Sequence, residues 1–386
     1  MIIALNNPIQ PYAWGSKSFL PHFLGVPATG IPQAELWMGA HPVAPSRDAT
    51  TGLTLHELIA KNPRKWLGAE ASAQYGTLPF LMKVLAADEP LSIQAHPSLE
   101  QAEVGFAREE ALGISRSAPD RLYRDRNHKP ELICALTPFE ALCGFRTPPQ
   151  VQALVRTLDA RALRSWLPHL ETTNDTRAIF RFVATLPEQE RKRTIDELLS
   201  SLHRLDAADA RVRFWIERAA SLYPGDMGVL SILLLNYVKL EPGEALYLPA
   251  QQLHAYLVGA GIEIMANSDN VLRGGLTPKH VDVAELLDVL NFAPYNPPIL
   301  RPARAGVYAT PAEEFELSRV TVRPNQPITF STHGPEIVLC TGGSIELRAK
   351  ATLVSLVQGQ SAFVAAALPQ YEVHGEGNFF RATLPR

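Results

Sequence analysis

The chain has 386 residues, with 36 Lys and Arg against 39 Asp and Glu, for a formal net charge of −3. That balance leaves no electrostatic footprint for nucleic acid or an anionic membrane. The 46% hydrophobic and 19% charged content is that of a soluble globular protein.

The length calls for two or three domains rather than one core. Met1 to Asn7 lacks the basic and long apolar regions of a signal peptide. Three scattered cysteines, Cys134, Cys143 and Cys340, show no CxxC spacing. They read as reduced thiols of a cytoplasmic protein, not as a disulfide framework or a thiolate metal site. The 32 prolines against 24 glycines point to many short, bounded strands, because proline cannot donate to a helix or sheet ladder.

Residues 1–150 read as short strands and loops with a few helical turns. The apolar runs 78–85 and 91–94, separated by Ala86-Ala87-Asp88-Glu89-Pro90, predict adjacent antiparallel strands, and 131–136 predicts a third, buried one. From 151 to 223 the period changes: Ile195, Leu198, Leu199 and Leu202 fall at i, i+3, i+4 and i+7 of an amphipathic helix. The charges at Glu188, Glu190, Arg191, Lys192 and Arg193 mark its solvated faces. This stretch is expected to be a helical insertion.

Pro224-Gly225-Asp226 punctuates a return to strands at 236–240 and 245–249, joined by the turn Pro242-Gly243-Glu244. A helix is expected over 280–290, with Thr277 as N-cap and Pro278 at the first position. Pro294, Pro297, Pro298 and Pro302 then mark a boundary before a C-terminal β domain over 294–386. Residues 243–250 align without gaps against 359–366, each a turn glycine, a polar residue and an apolar strand. The echo suggests two related β-barrels. Its register puts Gln370 opposite His254, so metal chemistry would belong to the first barrel.

Gln94-Ala95-His96-Pro97 carries the sharpest chemical signal. Residues two apart on a strand project to the same side, so Gln94 Oε1 and His96 can aim at one point. Glu131 opens an apolar run, and His254 follows the 245–249 strand by a few residues, where a barrel-mouth loop would place it near a ligand. Two imidazoles and two oxygen donors suit Zn²⁺, and equally Co²⁺ or Mn²⁺. With one anionic ligand the site would keep about one net positive charge, useful for Lewis-acid work on a carbonyl or vicinal hydroxyls. The loop Asn267-Ser268-Asp269-Asn270-Val271-Leu272-Arg273-Gly274-Gly275 closes on an arginine suited to an anionic intermediate or a phosphate. Six of the 11 histidines, His22, His56, His169, His203, His333 and His374, are expected to be ordinary surface or core residues. No Walker A loop or G-x-S-x-G elbow occurs, and Gly259-Ala260-Gly261 has Ile264 where a dinucleotide fingerprint needs glycine.

These motifs resemble type I phosphomannose isomerases, a cupin-like family. The matching pieces are Pro8 to Ser16, Ala34 to Pro42, Pro90 to Pro97, His128-Lys129-Pro130-Glu131, and His254-Ala255-Tyr256 through Gly275. The resemblance spans about residues 6–285. It implies a mainly β fold of cupin-like (jelly-roll) barrels with the helical insertion. The catalytic domain would be 1–150 plus 224–293, and the 294–386 barrel would lack metal ligands.

By the same resemblance one Zn²⁺ per chain is held by Gln94, His96, Glu131 and His254. Arg273 is catalytic, and Trp14, Ser92, Lys129, Tyr256 and Asp269 line the pocket. The implied reaction interconverts mannose 6-phosphate and fructose 6-phosphate by proton transfer through a cis-enediol(ate). Lys129 and Asp269 are the candidate bases, and Arg273, Lys129 and Arg146 are candidates for holding phosphate. The expected partner is a small sugar phosphate, with no nucleic acid or membrane, acted on by a monomer. The alternatives are a cupin-like sugar-phosphate sensor without turnover and a metal-dependent oxygenase, whose usual two-His, one-carboxylate triad Gln94 fits less well. Ala250-Gln251-Gln252-Leu253 departs from the glycine-containing loop associated with the family at that place.

Overall fold

One strand organises the larger of the two sheets. In the computed structural model, which describes residues 1–173, 175–350 and 352–386, His254–Ala266 runs for 13 residues, buried almost throughout. Its last eight residues pair with Phe80–Ala87, and five of them also pair with Glu131–Ala135. Its first residues pair instead with Gln94–Ala95 and Phe139–Phe145. The crossing between these two sets is made at Gly259, which sits at φ +118. A Cβ there would lie 2.7 Å from the Pro138 carbonyl oxygen, so only glycine fits both the angle and the approach. Trp37 and its neighbours in Glu35–Met38 extend the sheet beyond Phe80–Ala87.

Phe139–Phe145 and Leu235–Leu240 are antiparallel neighbours, and the helices lie between them in sequence. The first, Pro148–Leu158, starts on a capping box in which Thr147 accepts from the Gln150 amide, as its Pro148 start and Thr-x-x-Gln pattern favour. In Glu188–Ser201 and the turn after it, Ile195, Leu198 and Leu202 are buried, and Leu199 packs against the same core. That core joins the helices to the sheet through Ile93, Ala95, Ala255 and Leu257. At about 1.5–3 kcal/mol for each fully buried large aliphatic side chain, it fixes the sheet face that carries the site.

The C-terminal sheet has nine strands, centred on the pair Glu336–Ala349 and Gln370–Thr383. Two pieces from the start of the chain join it: Ile2–Asn6 pairs with Ser361–Val364 and also with Arg47–Asp48. The two sheets share one apolar core, in which Met38, Val84 and Ile262 meet Leu317, Phe363 and Phe380. The architecture is the mainly β, cupin-like one expected.

Three local expectations are corrected. The 91–94 run does not pair with the 78–85 run; its short strand, Gln94–Ala95, pairs with His254 and with Leu272–Arg273. His254 is the first residue of the long strand rather than a loop residue. The helix expected over 280–290 is Val283–Val289, capped by Asp282, whose side chain accepts from the Glu285 amide. Thr277 spends its hydroxyl on the Lys279 amide, so the later and equally competent cap starts the helix.

Candidate metal centre and substrate pocket

Register assembles the first part of the site. Gln94 lies directly across from His254 on one side and from Arg273 on the other. Glu131 comes from further away, since its ladder partner Met265 is near the opposite end of the His254–Ala266 strand. Yet His254 Nε2 is 3.4 Å from Glu131 Oε2. An extended segment between those positions would span about 36 Å, so the sheet curls strongly to bring its two ends face to face. His96, just past Gln94–Ala95, completes the group with its Nε2 3.3 Å from Glu131 Oε1.

The hydrogen bonds behind the rings decide what they offer in front. His96 Nδ1 lies 2.6 Å from the Asn270 carbonyl oxygen, and His254 Nδ1 lies 2.9 Å from that of Gln252. A carbonyl only accepts, so each Nδ1 carries a proton, and a ring holding that single proton presents a bare lone pair at Nε2. Burial, with Lys129 nearby, pushes the His96 pKa down to about 4, which keeps that ring neutral at pH 7. Burial alone would raise the Glu131 carboxyl; the Lys129 ammonium overcomes it and holds the group well below the ordinary value. Lys129 Nζ stands 3.1 Å from Glu131 Oε1.

Two imidazole lone pairs thus face a carboxylate in a dry interior, with all three side chains at most 2% exposed. His96 Nε2, His254 Nε2 and Glu131 Oε2 have no hydrogen-bond partner. Acceptors opposed to acceptors are costly when buried, and a cation among them removes the cost. Donors about 2.0–2.1 Å from a tetrahedral Zn²⁺ stand about 3.3 Å apart, the spacing seen here. Among the described residues this is the only cluster of three His, Cys, Asp or Glu able to hold a metal. Gln94, placed beside it by register, is the neutral oxygen donor of the expected set.

The remaining predicted residues distribute around this centre. Asp269 Oδ1 is 3.3 Å from His41 Nε2; burial would raise its carboxyl, but His41, with Lys129 beyond, lowers it. The Tyr256 hydroxyl, buried near Glu263 and Glu131, is held well above its ordinary pKa and stays protonated. Trp14 packs on the apolar cluster containing Tyr256, and Ser92 is half-buried two residues before Gln94. Arg273 is half-buried and its guanidinium is pulled below its ordinary pKa by burial and by Arg124. Arg146, a candidate for anion binding, is turned to the Leu235 carbonyl at 2.8 Å instead. Gln251, in the loop that departs from the family pattern, takes φ +68, a glycine-like conformation. Its amide donates to the His96 carbonyl and its side chain to that of Val289.

Sequence reasoning missed two groups. Lys83, Glu35 and Glu263 form a buried ion cluster, with Lys83 Nζ 2.7 Å from Glu263 Oε2 and 3.4 Å from Glu35 Oε1. Trp37 Nε1 donates to the same Glu35 at 2.7 Å. The signal was available: Lys83 and Glu263 interrupt otherwise apolar strands. The second group is cationic. Arg124, Arg273 and Lys279 lie close together: burial first, and then the neighbouring cations, lower the Arg273 and Lys279 pKa values, and none of the three is in a salt bridge among the described residues. Arg124 and Lys279 sit in polar loops, where a lone cation carries no sequence signal.

Residues 2–148 match the model of the phosphomannose isomerase type I catalytic domain. The mannose-6-phosphate isomerase of Escherichia coli (strain K12) is 38% identical over 390 residues, covering 98% of each chain. That of Shigella flexneri matches with the same identity and coverage. Among solved structures, a zinc-bound holo mannose 6-phosphate isomerase superposes with a TM-score of 0.92 at 37% identity, covering 100% of each chain.

Proposed function

This chain belongs to the type I phosphomannose isomerase family, and from that premise we propose that it interconverts mannose 6-phosphate and fructose 6-phosphate as a zinc-dependent aldose–ketose isomerase. The observation that carries the proposal is the dry meeting of His96 Nε2, His254 Nε2 and Glu131 Oε2, three buried acceptors none of which has a hydrogen-bond donor. These three, with Gln94 as the fourth, would hold one zinc ion per chain. When bound, zinc supplies a Lewis acid that favours negative charge on the sugar oxygens at C1 and C2.

The chain's own residues supply the rest. Isomerisation moves a proton between C1 and C2 through a cis-enediol(ate), so a base must reach those carbons and a fixed positive charge must face the oxygens. Arg273, across the ladder from Gln94, is the fixed charge. Asp269, whose carboxyl is lowered beside His41, and Lys129 are the two candidates to carry the proton. Tyr256 is a neutral hydrogen-bond donor toward the sugar, and Trp14 and Ser92 line its pocket. Arg124 and Lys279, next to Arg273 and in no ion pair among the described residues, suit the phosphate. The buried walls exclude water that would otherwise screen these charges.

In this reading residues 1–150 and 224–293 form the catalytic unit, 151–223 the helical insertion, and 294–386 a β domain without metal ligands. The protein acts as a cytoplasmic monomer on a small sugar phosphate. No helix among the described residues is long and apolar enough to cross a membrane. The test is a coupled assay of fructose 6-phosphate formation from mannose 6-phosphate. Chelation should abolish turnover and zinc should restore it. Full activity in protein shown metal-free by elemental analysis would remove zinc from the mechanism, and sugar-phosphate binding without product would favour a sensor.

A further inference from the structure

Asn270 is fully buried, and every polar group it owns is committed. Its side-chain Oδ1 accepts from the amides of Arg124, at 2.7 Å, and Asp125, at 3.2 Å. Its Nδ2 donates to the carbonyls of Asp125 and Asn127, both at 2.9 Å. Its amide donates to Ser268 Oγ at 3.2 Å, and its carbonyl accepts the Nδ1 proton of His96 at 2.6 Å. Asp125 closes the same joint from the other side, taking the Asp269 amide on Oδ2 and the Ser268 hydroxyl on Oδ1. One amide side chain therefore staples segment 124–127 to segment 268–270.

The consequences reach both halves of the pocket. A His ligand keeps its tautomer and direction only while its rear nitrogen has a fixed acceptor, and here that acceptor is a main-chain carbonyl in a loop. The loop is held by the side chain of the same residue. The bond from Asn270 Oδ1 to the Arg124 amide simultaneously fixes the backbone of a cation that lies beside Arg273. We propose that Asn270 is a positioning residue that couples the orientation of the metal ligand His96 to the cationic mouth of the pocket. Ligand orientation and anion affinity then rise and fall together. The inference rests on the metal and sugar-phosphate reading above.

Asn270→Asp keeps the size but sets an oxygen against the two carbonyls that Nδ2 served, an acceptor facing acceptors. The zinc-loaded protein is expected to release zinc to a chelator about tenfold faster or more, the scale for groups that orient metal ligands. Titration with inorganic phosphate should show affinity weakened by about tenfold, the scale of losing one charge-assisted contact. Should this variant not fold, Ser268→Ala, which removes one hydroxyl from the same joint, must show the same paired change at smaller size. A lower unfolding temperature with zinc release and phosphate affinity like the parent would overturn the proposal, as would a change in one property alone. A parent that takes up no zinc would instead overturn the metal reading on which the proposal stands.

Discussion

The two sheet systems repeat one local design and then part ways. Gly243, at φ +91, precedes the short strand Ala245–Leu248, and Gly359, at φ +85, precedes Ser361–Val364. Each short strand leads to a long one, His254–Ala266 in the first case and Gln370–Thr383 in the second. The first residue of the long strand is where they diverge. His254 is buried and faces Glu131, whereas Gln370 is exposed and pairs with Ser331 on the sheet surface. Both systems also bury a carboxylate. Glu336, at 0% exposure, receives Arg381 Nε at 2.7 Å and the Tyr371 hydroxyl at 2.7 Å, with the second guanidinium nitrogen on its other oxygen. Glu131 has Lys129 on one oxygen, but its Oε2 has no donor and two bare imidazole nitrogens face the carboxylate. A buried charge alone does not mark a site; the chemistry of what faces it does.

The comparison breaks most visibly at Glu131. Glu131→Gln removes the single anionic donor, so bound zinc should fall to near zero and kcat/KM by about a thousandfold or more. Elemental analysis beside the coupled assay checks this, and retained zinc would mean the cluster is not the metal site. Next in size, Arg273→Ala should lower kcat about a hundredfold with zinc content unchanged; zinc loss instead would make Arg273 a structural support of the ligands. Glu336→Gln is the counterpart in the other sheet. It leaves Arg381 buried without its anion, at a cost of about 3 kcal/mol in denaturant unfolding, while kcat, KM and zinc content stay at parent values. Equal kinetic damage from Glu336 and Glu131 would dissolve the distinction between the two carboxylates.

Much of this contrast was legible before any coordinates. His96 and Glu131 stand in short motifs whose neighbours are apolar or proline, so each announced itself as a polar group out of place, whereas His254 gave little signal of its own and was reached through its place after the 245–249 strand and the family resemblance. The glycine-led echo foretold the equivalent strands and the missing imidazole at Gln370. Pairing was not legible, because it is non-local. Nothing within 91–97 says that Gln94 will lie between His254 and Arg273, and the nearer 78–85 run was the natural guess. The helix start failed for a different reason, since Thr277 and Asp282 are both competent caps and only tertiary packing chooses. Lys83 and Glu263 were passed over as elements of a strand pattern, although a charge flanked by apolar residues on a strand covered on both faces needs a partner in the interior.

The smallest expected effect tests whether the C-terminal region is silent in catalysis. Glu314 belongs to that region, and its Oε1 lies 2.6 Å from Nε2 of His128, the first residue of the His128-Lys129-Pro130-Glu131 motif. Tyr75, Tyr247 and Glu313 also face it. Burial would raise the Glu314 carboxyl, but the bond to His128 outweighs burial and lowers it. A carboxylate depressed in the fold contributes stability that is complete above its unfolded value, about 4.3, and is lost as pH falls through the folded one. Glu314→Gln should therefore be less stable than the parent at pH 7, by about 1 kcal/mol or less for so partly exposed a pair. The gap should close as thermal unfolding is followed from pH 5 toward pH 3. If the contact only joins the two sheets, KM and kcat at pH 7 will match the parent. A rise in KM with zinc unchanged would mean that Glu314 holds Lys129 in place through His128, and that the sheet without metal ligands still shapes the pocket that has them.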